Sequence, residues 1–141
     1  MIIGWGLCIP SGVAWAFKGK HLDPLWFNVH RVLVLSGLAV AFIAWVVAFS
    51  MFEGSYPHGA FGYVIMFAAF LQPINAFFRR HKGEGTWRTV WEHVHAWYGR
   101  LLILLALVEL CIGVALLQFL QPTDNAMVSF GVPLALALIF R

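Results

Sequence analysis

The chain has 141 residues, of which 62% are hydrophobic and only 11% are charged, a balance far from that of a soluble domain. This composition excludes an ordinary soluble globular protein and indicates an integral membrane protein. The net charge of +3 comes from basic residues that cluster at connections between apolar stretches, which favours membrane topology over nucleic-acid binding as the reason for the charge.

Five apolar stretches follow one another, and the complete ones approach the roughly 20 residues that a helix needs to cross a bilayer. They are Met1–Phe17, Phe27–Phe52, His58–Phe78, Val94–Leu120 and Ala126–Phe140. The first lacks the charged start and the cleavage site of a signal peptide, and the last is short for a span, so we expect both to be truncated. The expected fold is all-α: an integral membrane bundle of four to five transmembrane helices, forming a single domain over residues 1–141.

The connections between these stretches differ in charge. The second connection, "FEGSYPHG", and the fourth, "QPTDNA", contain no lysine or arginine. The basic residues flank the first and third connections instead: Lys18, Lys20 and Arg31, and then Arg79, Arg80, Lys82 and Arg88. The positive-inside rule places the first and third connections in the cytoplasm, so the N-terminus is expected on the non-cytoplasmic side.

Three of the six histidines, His30, His58 and His95, lie near the start of a complete span. An ionisable or metal-binding side chain inside a span is a functional candidate because it is costly there. Consecutive spans run antiparallel, so His30 and His95 lie on the same membrane side and can face each other at one depth. His58 lies on the other side without a histidine partner in this chain, and we expect its partner just upstream of Met1.

Two histidines on facing helices suit bis-imidazole ligation of a haem iron, whereas zinc would need two further ligands. Small residues on the histidine faces would give a flat porphyrin room, although glycine in a span also serves helix packing. These glycines are Gly37 after His30, Gly59 and Gly62 after His58, and Gly99 after His95. The residues alone leave a second interpretation open, in which the histidines form hydrogen bonds at the membrane interface.

The fourth stretch offers two histidines, His93 and His95, that point about 200° apart on a helix. The face of His95 also carries Gly99, Ala106 and Gly113, which keep it open, whereas the face of His93 has no glycine nearby. His95 is therefore the better ligand candidate.

Four motifs of the chain resemble the cytochrome b561 family, particularly the membrane domain that follows an extracellular DOMON module. They are "WFNVH" at 26–30, "HGAFGY" at 58–63, "LQPINAFFRR" at 71–80 and "RTVWEHVHAWYGR" at 88–100. The last of these matches the family pattern R-x-x-W-x-x-x-H-x-x-x-G-R throughout. The resemblance covers nearly the whole chain, and the motifs keep their order and spacing.

The resemblance implies two b-type haems, one near each membrane face, that move single electrons across the bilayer. His30 and His95 would hold the cytoplasmic haem, and His58 would hold the other with an upstream histidine, usually in an H-G-x-L-M context. Near the cytoplasmic haem, Arg88 and Arg100 are the preferred pair for binding haem propionates or an anionic reductant such as ascorbate.

One departure from the family concerns Glu109, which stands in "ELCIG" where similar proteins more often have asparagine in N-I-x-x-G. It follows His95 by 14 residues, or ~21 Å along the same helix face at 1.5 Å per residue. It is thus expected to face inward at the level of the other haem. A role in tuning that haem or coupling a proton to its reduction, and a neutral structural role, both stay open.

The expected function is transmembrane electron transfer from a cytoplasmic donor such as ascorbate to a non-cytoplasmic acceptor such as ferric iron or an extracellular redox domain. An enzymatic activity would be that of an ascorbate-dependent or ferric reductase type of transmembrane oxidoreductase, with no catalytic side chains assigned. The alternatives are a haem-free membrane scaffold and a cytochrome b subunit of a larger dehydrogenase complex. Membrane lipid is an expected partner and nucleic acid is not, while a homodimer is left open.

Overall fold

The computed structural model describes residues 1–51, 57–79 and 85–120 of the chain. Every secondary-structure element in these three ranges is helical, so the all-α expectation is confirmed. The fifth predicted stretch, Ala126–Phe140, lies outside the described residues.

Four helices run in chain order. Helix α1 covers Ile2–Lys18, and its first part, Ile2–Cys8, is π-helical before the α-helical part, Ile9–Lys18. A single 3₁₀ turn, Lys20–Leu22, follows. The remaining helices are α2 (Leu25–Met51), α3 (Pro57–Phe77) and α4 (Gly85–Leu120).

Three of these helices, α2, α3 and α4, are long and apolar enough to cross a membrane, and α1 is a shorter apolar helix. These are the three stretches that the sequence predicts to be complete. Many large apolar side chains on all three spans are exposed, such as Ile43, Val64 and Phe67. Because a bilayer solvates apolar surface, such faces are stable against lipid and not against water.

Helix α4 begins before the fourth apolar stretch, which starts at Val94. The helix begins at Gly85, whose φ of +66° marks the turn into it. One pair of charges helps to stabilise the polar turns before Val94: Arg88 donates to the carboxylate of Glu92 from Nε at 2.9 Å and from Nη2 at 2.6 Å. An apolar run therefore predicts the membrane-embedded part of a helix and not its end.

The helices pack as two neighbouring pairs, α1 against α2 and α3 against α4. Backbone contacts between the pairs are fewer. A continuous cluster of buried side chains nevertheless joins all four helices: Trp5, Ile9, Leu38, Ala41, Ile65, Met66, Ala69, Leu102 and Ala106. The candidate histidines lie on α2, α3 and α4, so the seam between the pairs decides which of them meet.

Glycines allow α1 and α2 to approach closely. A Cβ atom at Gly37 would lie 2.8 Å from Cγ1 of Ile9 and 2.9 Å from Cβ of Cys8. A Cβ atom at Gly4 would lie 2.5 Å from the carbonyl oxygen of Gly37. The space beside Gly37 is thus filled by α1, and this glycine serves helix packing and does not leave an opening beside His30.

Candidate functional site

His30, on the second turn of α2, is held by the backbone of α1. Its Nδ1 lies 3.0 Å from the carbonyl oxygen of Gly12, and the residue is part-buried. A carbonyl oxygen only accepts, so Nδ1 carries the proton and donates it, which leaves Nε2 as the nitrogen with a free lone pair. A Cβ atom at Gly12 would lie 3.3 Å from the carbonyl oxygen of His30 and nearer still to Val34, so glycine permits this approach.

The imidazole of His95, on α4, faces that of His30. The two ring centres are 6.4 Å apart and the ring planes make an angle of 80°. Metal–imidazole bonds are about 2.0–2.1 Å long, so a metal atom held by two imidazoles would need their ring centres several ångströms apart. The observed spacing would allow His30 and His95 to hold one metal atom between their rings.

Trp91 orients the ring of His95 from one turn earlier on α4. The two rings stack with centres 5.0 Å apart and planes 11° from parallel. The indole is fixed in turn, because its Nε1 donates to the carbonyl oxygen of Asn75 on α3 at 3.0 Å. The position of Trp91 four residues before His95, on the same helix face, is the sequence signal for this contact.

The backbone of His95 is also tied to α3. Nε2 of Gln72 donates to the carbonyl oxygen of His95 at 3.1 Å. A Cβ atom at Gly99 would lie 2.7 Å from that nitrogen, so Gly99 makes room for Gln72. Sequence reasoning missed Gln72, and its signal was a polar amide inside the apolar run of α3.

His93 and His21 lie outside this arrangement. His93 is exposed, and its Nδ1 lies 2.8 Å from the carbonyl oxygen of Thr89 on its own helix. His21 is exposed in the 3₁₀ turn. The sixth histidine, His81, lies outside the described residues.

His58 contacts a carboxylate. Its Nδ1 lies 2.5 Å from Oε1 of Glu109 on α4, and the side chain of Glu109 is 13% exposed. The expectation that Glu109 faces inward, at the level of His58, agrees with this contact. The sequence expectation that His58 has no histidine partner in this chain stays a prediction, because the contact it makes is with Glu109, and a carboxylate does not replace a second haem ligand.

Glycines surround His58 in two ways. A Cβ atom at Gly113 would lie 2.9 Å from Cε1 and 3.0 Å from Nε2 of His58, so this glycine lets the ring lie against α4. Beside Gly59 and Gly62, by contrast, no atom lies within 4 Å of such a Cβ atom. The open face of α3 near His58 is therefore the one that carries Gly59 and Gly62.

The two arginines proposed from the sequence are placed differently. Arg88 is 9% exposed, is bound to Glu92, and has its guanidinium 5.3 Å from the ring centre of Trp91, which itself stacks on His95. Arg100 lies over Phe17 and Trp97, at 4.8 and 5.1 Å from their ring centres. Arg88 is thus adjacent to the histidine pair, whereas the described contacts of Arg100 are with aromatic rings at the end of α1 and on α4.

A further cation adjoins this region. The guanidinium of Arg79 lies 4.1 Å from the ring centre of Phe27, on the first turn of α2. Burial, and then the positive charge of Arg88, lower the pKa of Arg79 below its ordinary value, against the opposing effects of Glu92 and Asp23. Arg79 and Arg88 therefore lie close enough to repel each other, and the carboxylate of Glu92, which binds Arg88, offsets part of this repulsion. Arg80 and Lys82 lie outside the described residues.

Comparison with known proteins gives the family. The chain is 33% identical over 147 residues to a cytochrome b561, DM13 and DOMON domain-containing protein of Arabidopsis thaliana. Two further proteins of that plant, each named cytochrome b561 and DOMON domain-containing protein, are 26% and 27% identical to the chain. The chain belongs to the cytochrome b561 family.

These alignments cover 98%, 98% and 95% of the cytochrome b561 chain. The chain spans only 16% of the first relative and 35% of each of the other two. No family model matches the chain, and no solved structure matches it.

The residues of this cytochrome b561 domain fit a b-type haem at the His30–His95 pair. The ring spacing suits two ligands of one iron atom. Nδ1 of His30, which would face away from the iron, is already hydrogen-bonded to the backbone. Within residues 1–51, 57–79 and 85–120, no three His, Cys, Asp or Glu side chains gather as a metal-binding group. A centre that needs only two protein ligands therefore suits this site better than a four-ligand zinc site.

Proposed function

We propose that this domain carries single electrons across a membrane through b-type haem, one haem being held between His30 and His95. The observation that supports this most strongly is the 6.4 Å separation of their ring centres, on two helices that belong to different packing pairs. The relatives named as cytochrome b561 proteins support the same cofactor. The haem would supply the one-electron redox couple, and the chain would supply ligands, orientation and charge.

The residues around the pair would hold the two imidazoles ready for metal binding. The carbonyl oxygen of Gly12 keeps the proton of His30 on Nδ1, and the indole of Trp91 limits rotation of the His95 ring. Such contacts behind a ligand strengthen metal binding because they reduce the ordering cost and raise the basicity of the ligating nitrogen. Arg88 and Arg79 would bind an anionic group, either a haem propionate or an ascorbate-like donor.

His58 would be one ligand of a second haem. Glu109 follows His95 by 14 residues on α4, about 21 Å along the helix axis, and it contacts His58. The two haem levels would therefore be separated along the bundle, as passage of an electron across a membrane requires. We further propose that the His30–His95 side is cytoplasmic, because the basic connections lie there. The acceptor would be ferric iron or an extracellular redox domain.

Replacement of the ligands tests this proposal. In the purified full-length protein, His30→Ala and His95→Ala should each remove the low-spin b-type bands of one haem from the reduced-minus-oxidised spectrum, since neither imidazole alone completes the axial pair. His93→Ala is the matched control: it changes an exposed histidine two residues from His95 and should leave the spectrum unchanged. Unaltered haem content in both ligand variants would refute the assignment of His30 and His95 as ligands, and absence of the b-type bands from the unaltered protein would favour the haem-free scaffold.

A further inference from the structure

Glu109 is unusual for its position. Within the described chain it is the one acidic residue in the apolar part of a membrane-spanning helix, since Glu92 precedes that part of α4. A carboxylate there is costly unless a partner or hydrogen bonds compensate it. Its partner is His58, with Oε1 and Nδ1 2.5 Å apart.

The geometry around this contact selects one nitrogen of His58. An oxygen of the carboxylate lies 2.5 Å from Nδ1, an ion-pair contact whose geometry is not that of a hydrogen bond, so Nδ1 and not Nε2 is the nitrogen that faces the negative charge. Gly113, one turn beyond Glu109, allows the ring to lie against α4, because a Cβ atom at that position would be 3.0 Å from Nε2. Both residues of α4 thus fix the place of one side chain on α3.

We propose that Glu109 is a positioning residue for His58: it accepts the Nδ1 proton, directs Nε2 toward iron, and lowers the midpoint potential of the haem bound there. This inference rests on the proposed function, because it takes His58 as a haem ligand. A carboxylate behind a ligating imidazole fixes the ring orientation and increases electron donation to the metal, which favours the oxidised state. The backbone acceptor of His30 is a neutral carbonyl. The imidazole of His58 therefore lies beside a negative charge, whereas that of His30 does not.

Two variants of Glu109 distinguish its effect on the orientation of His58 from the effect of its negative charge. In Glu109→Gln the amide oxygen still accepts the Nδ1 proton, so haem should be retained while the negative charge is lost. At a fixed potential, the ratio of reduced to oxidised haem at this site should rise about tenfold, which is 59 mV for a one-electron couple. In Glu109→Leu the acceptor is lost as well, and the haem content of this site should fall severalfold.

The measurement is a spectroscopic redox titration of the full-length protein with its haems bound. The component that disappears in His58→Ala identifies the site, and the haem at His30 and His95 serves as an internal control for folding. Glu92→Gln, the same change at an exposed position of α4, should leave the midpoint potential of the His58 haem unchanged.

The outcomes distinguish this inference from the function on which it rests. If His58→Ala removes no haem component, His58 is not a ligand, and both the second haem site and the role of Glu109 are refuted. If His58→Ala removes a component that neither Glu109 variant alters in potential or content, only the role of Glu109 is refuted. A shift confined to the His58 component in Glu109→Gln supports the inference, because a purely structural role would not move the potential of one haem alone.

Discussion

The chemistry of each candidate histidine depends on the group that contacts its imidazole ring. His30 has a backbone carbonyl, His58 a carboxylate, and His95 a stacked indole. These three contacts differ in charge and in strength, so three residues of one type have three different environments. For a metal ligand, such differences alter affinity and redox potential even when the coordinating atom is the same.

Trp91 is the residue whose contribution is simplest to isolate. Trp91→Phe keeps an aromatic ring against His95 but removes the hydrogen bond to the carbonyl oxygen of Asn75, and it should lower the free energy of unfolding by about 0.5–1.5 kcal/mol. Unfolding of the detergent-solubilised protein in a denaturant series measures this change. Trp87→Phe, at a residue that is 75% exposed, should have a much smaller effect. Equal losses in the two variants would show that the hydrogen bond contributes nothing measurable.

At the scale of the elements, glycine has different roles on different helices. Gly37 and Gly12 bring α1 and α2 together, Gly99 admits Gln72, and Gly113 admits His58. The interpretation of Gly37 and Gly99 as room for a porphyrin is therefore wrong, because protein atoms occupy the space beside both glycines. The space beside Gly59 and Gly62 remains consistent with it.

The α1–α2 contact can be tested with alanine. Gly37→Ala would put a Cβ atom 3.1 Å from the backbone nitrogen of Ile9, where relief requires a shift of the helix itself. In Gly6→Ala the new atom would meet only Cγ2 of Ile2, at an ordinary 3.6 Å. Both changes remove the entropic disadvantage of a glycine in a helix. The difference between the free energies of unfolding of the two variants therefore measures the effect of packing alone. We expect Gly37→Ala to be less stable than Gly6→Ala by about 1–3 kcal/mol, as measured by thermal unfolding in detergent. No difference would show that the two helices separate freely.

At the scale of the whole molecule, two pairs of helices enclose sites at two depths. The histidine pair bridges the seam between the helix pairs, from α2 to α4, whereas the contact of His58 with Glu109 lies within the second pair. Because α4 contributes to both sites, its 36 residues form a continuous rigid element that relates them. Its length, about 54 Å at 1.5 Å per residue, exceeds the bilayer core.

The orientation of this bundle gives a further prediction. With Cys8 and Cys111 replaced by alanine, a cysteine at exposed Lys20 should react with an impermeant maleimide only after intact cells are permeabilised. A cysteine at Ser50, at the opposite end of α2, should react without permeabilisation. The physical reason is that basic connections are retained in the cytoplasm. The reverse labelling pattern would invert the bundle and place the His30–His95 pair on the non-cytoplasmic side.

Some properties follow from local patterns and were therefore predictable from the sequence. Apolar runs of sufficient length predict the three spans, because the requirement is set by bilayer thickness and by backbone hydrogen bonding within each helix. Helical phase predicts that His93 and His95 point apart and that Glu109 lies on the inner face of α4. The extension of α4 back to Gly85 was not predictable from hydropathy, because the Arg88–Glu92 pair stabilises helix outside the apolar run.

The sequence by itself determined the all-α class, the spans and the family, since these depend on composition, periodicity and motif spacing along one chain. Only the tertiary structure decided which groups lie behind the histidines: the carbonyl oxygen of Gly12, the indole of Trp91 and the carboxylate of Glu109. Every residue type has a backbone carbonyl, so the sequence does not indicate which carbonyl oxygen contacts His30. The contacts between helices depend on how the helices rotate and slide against one another, and side-chain packing across the whole bundle sets that arrangement.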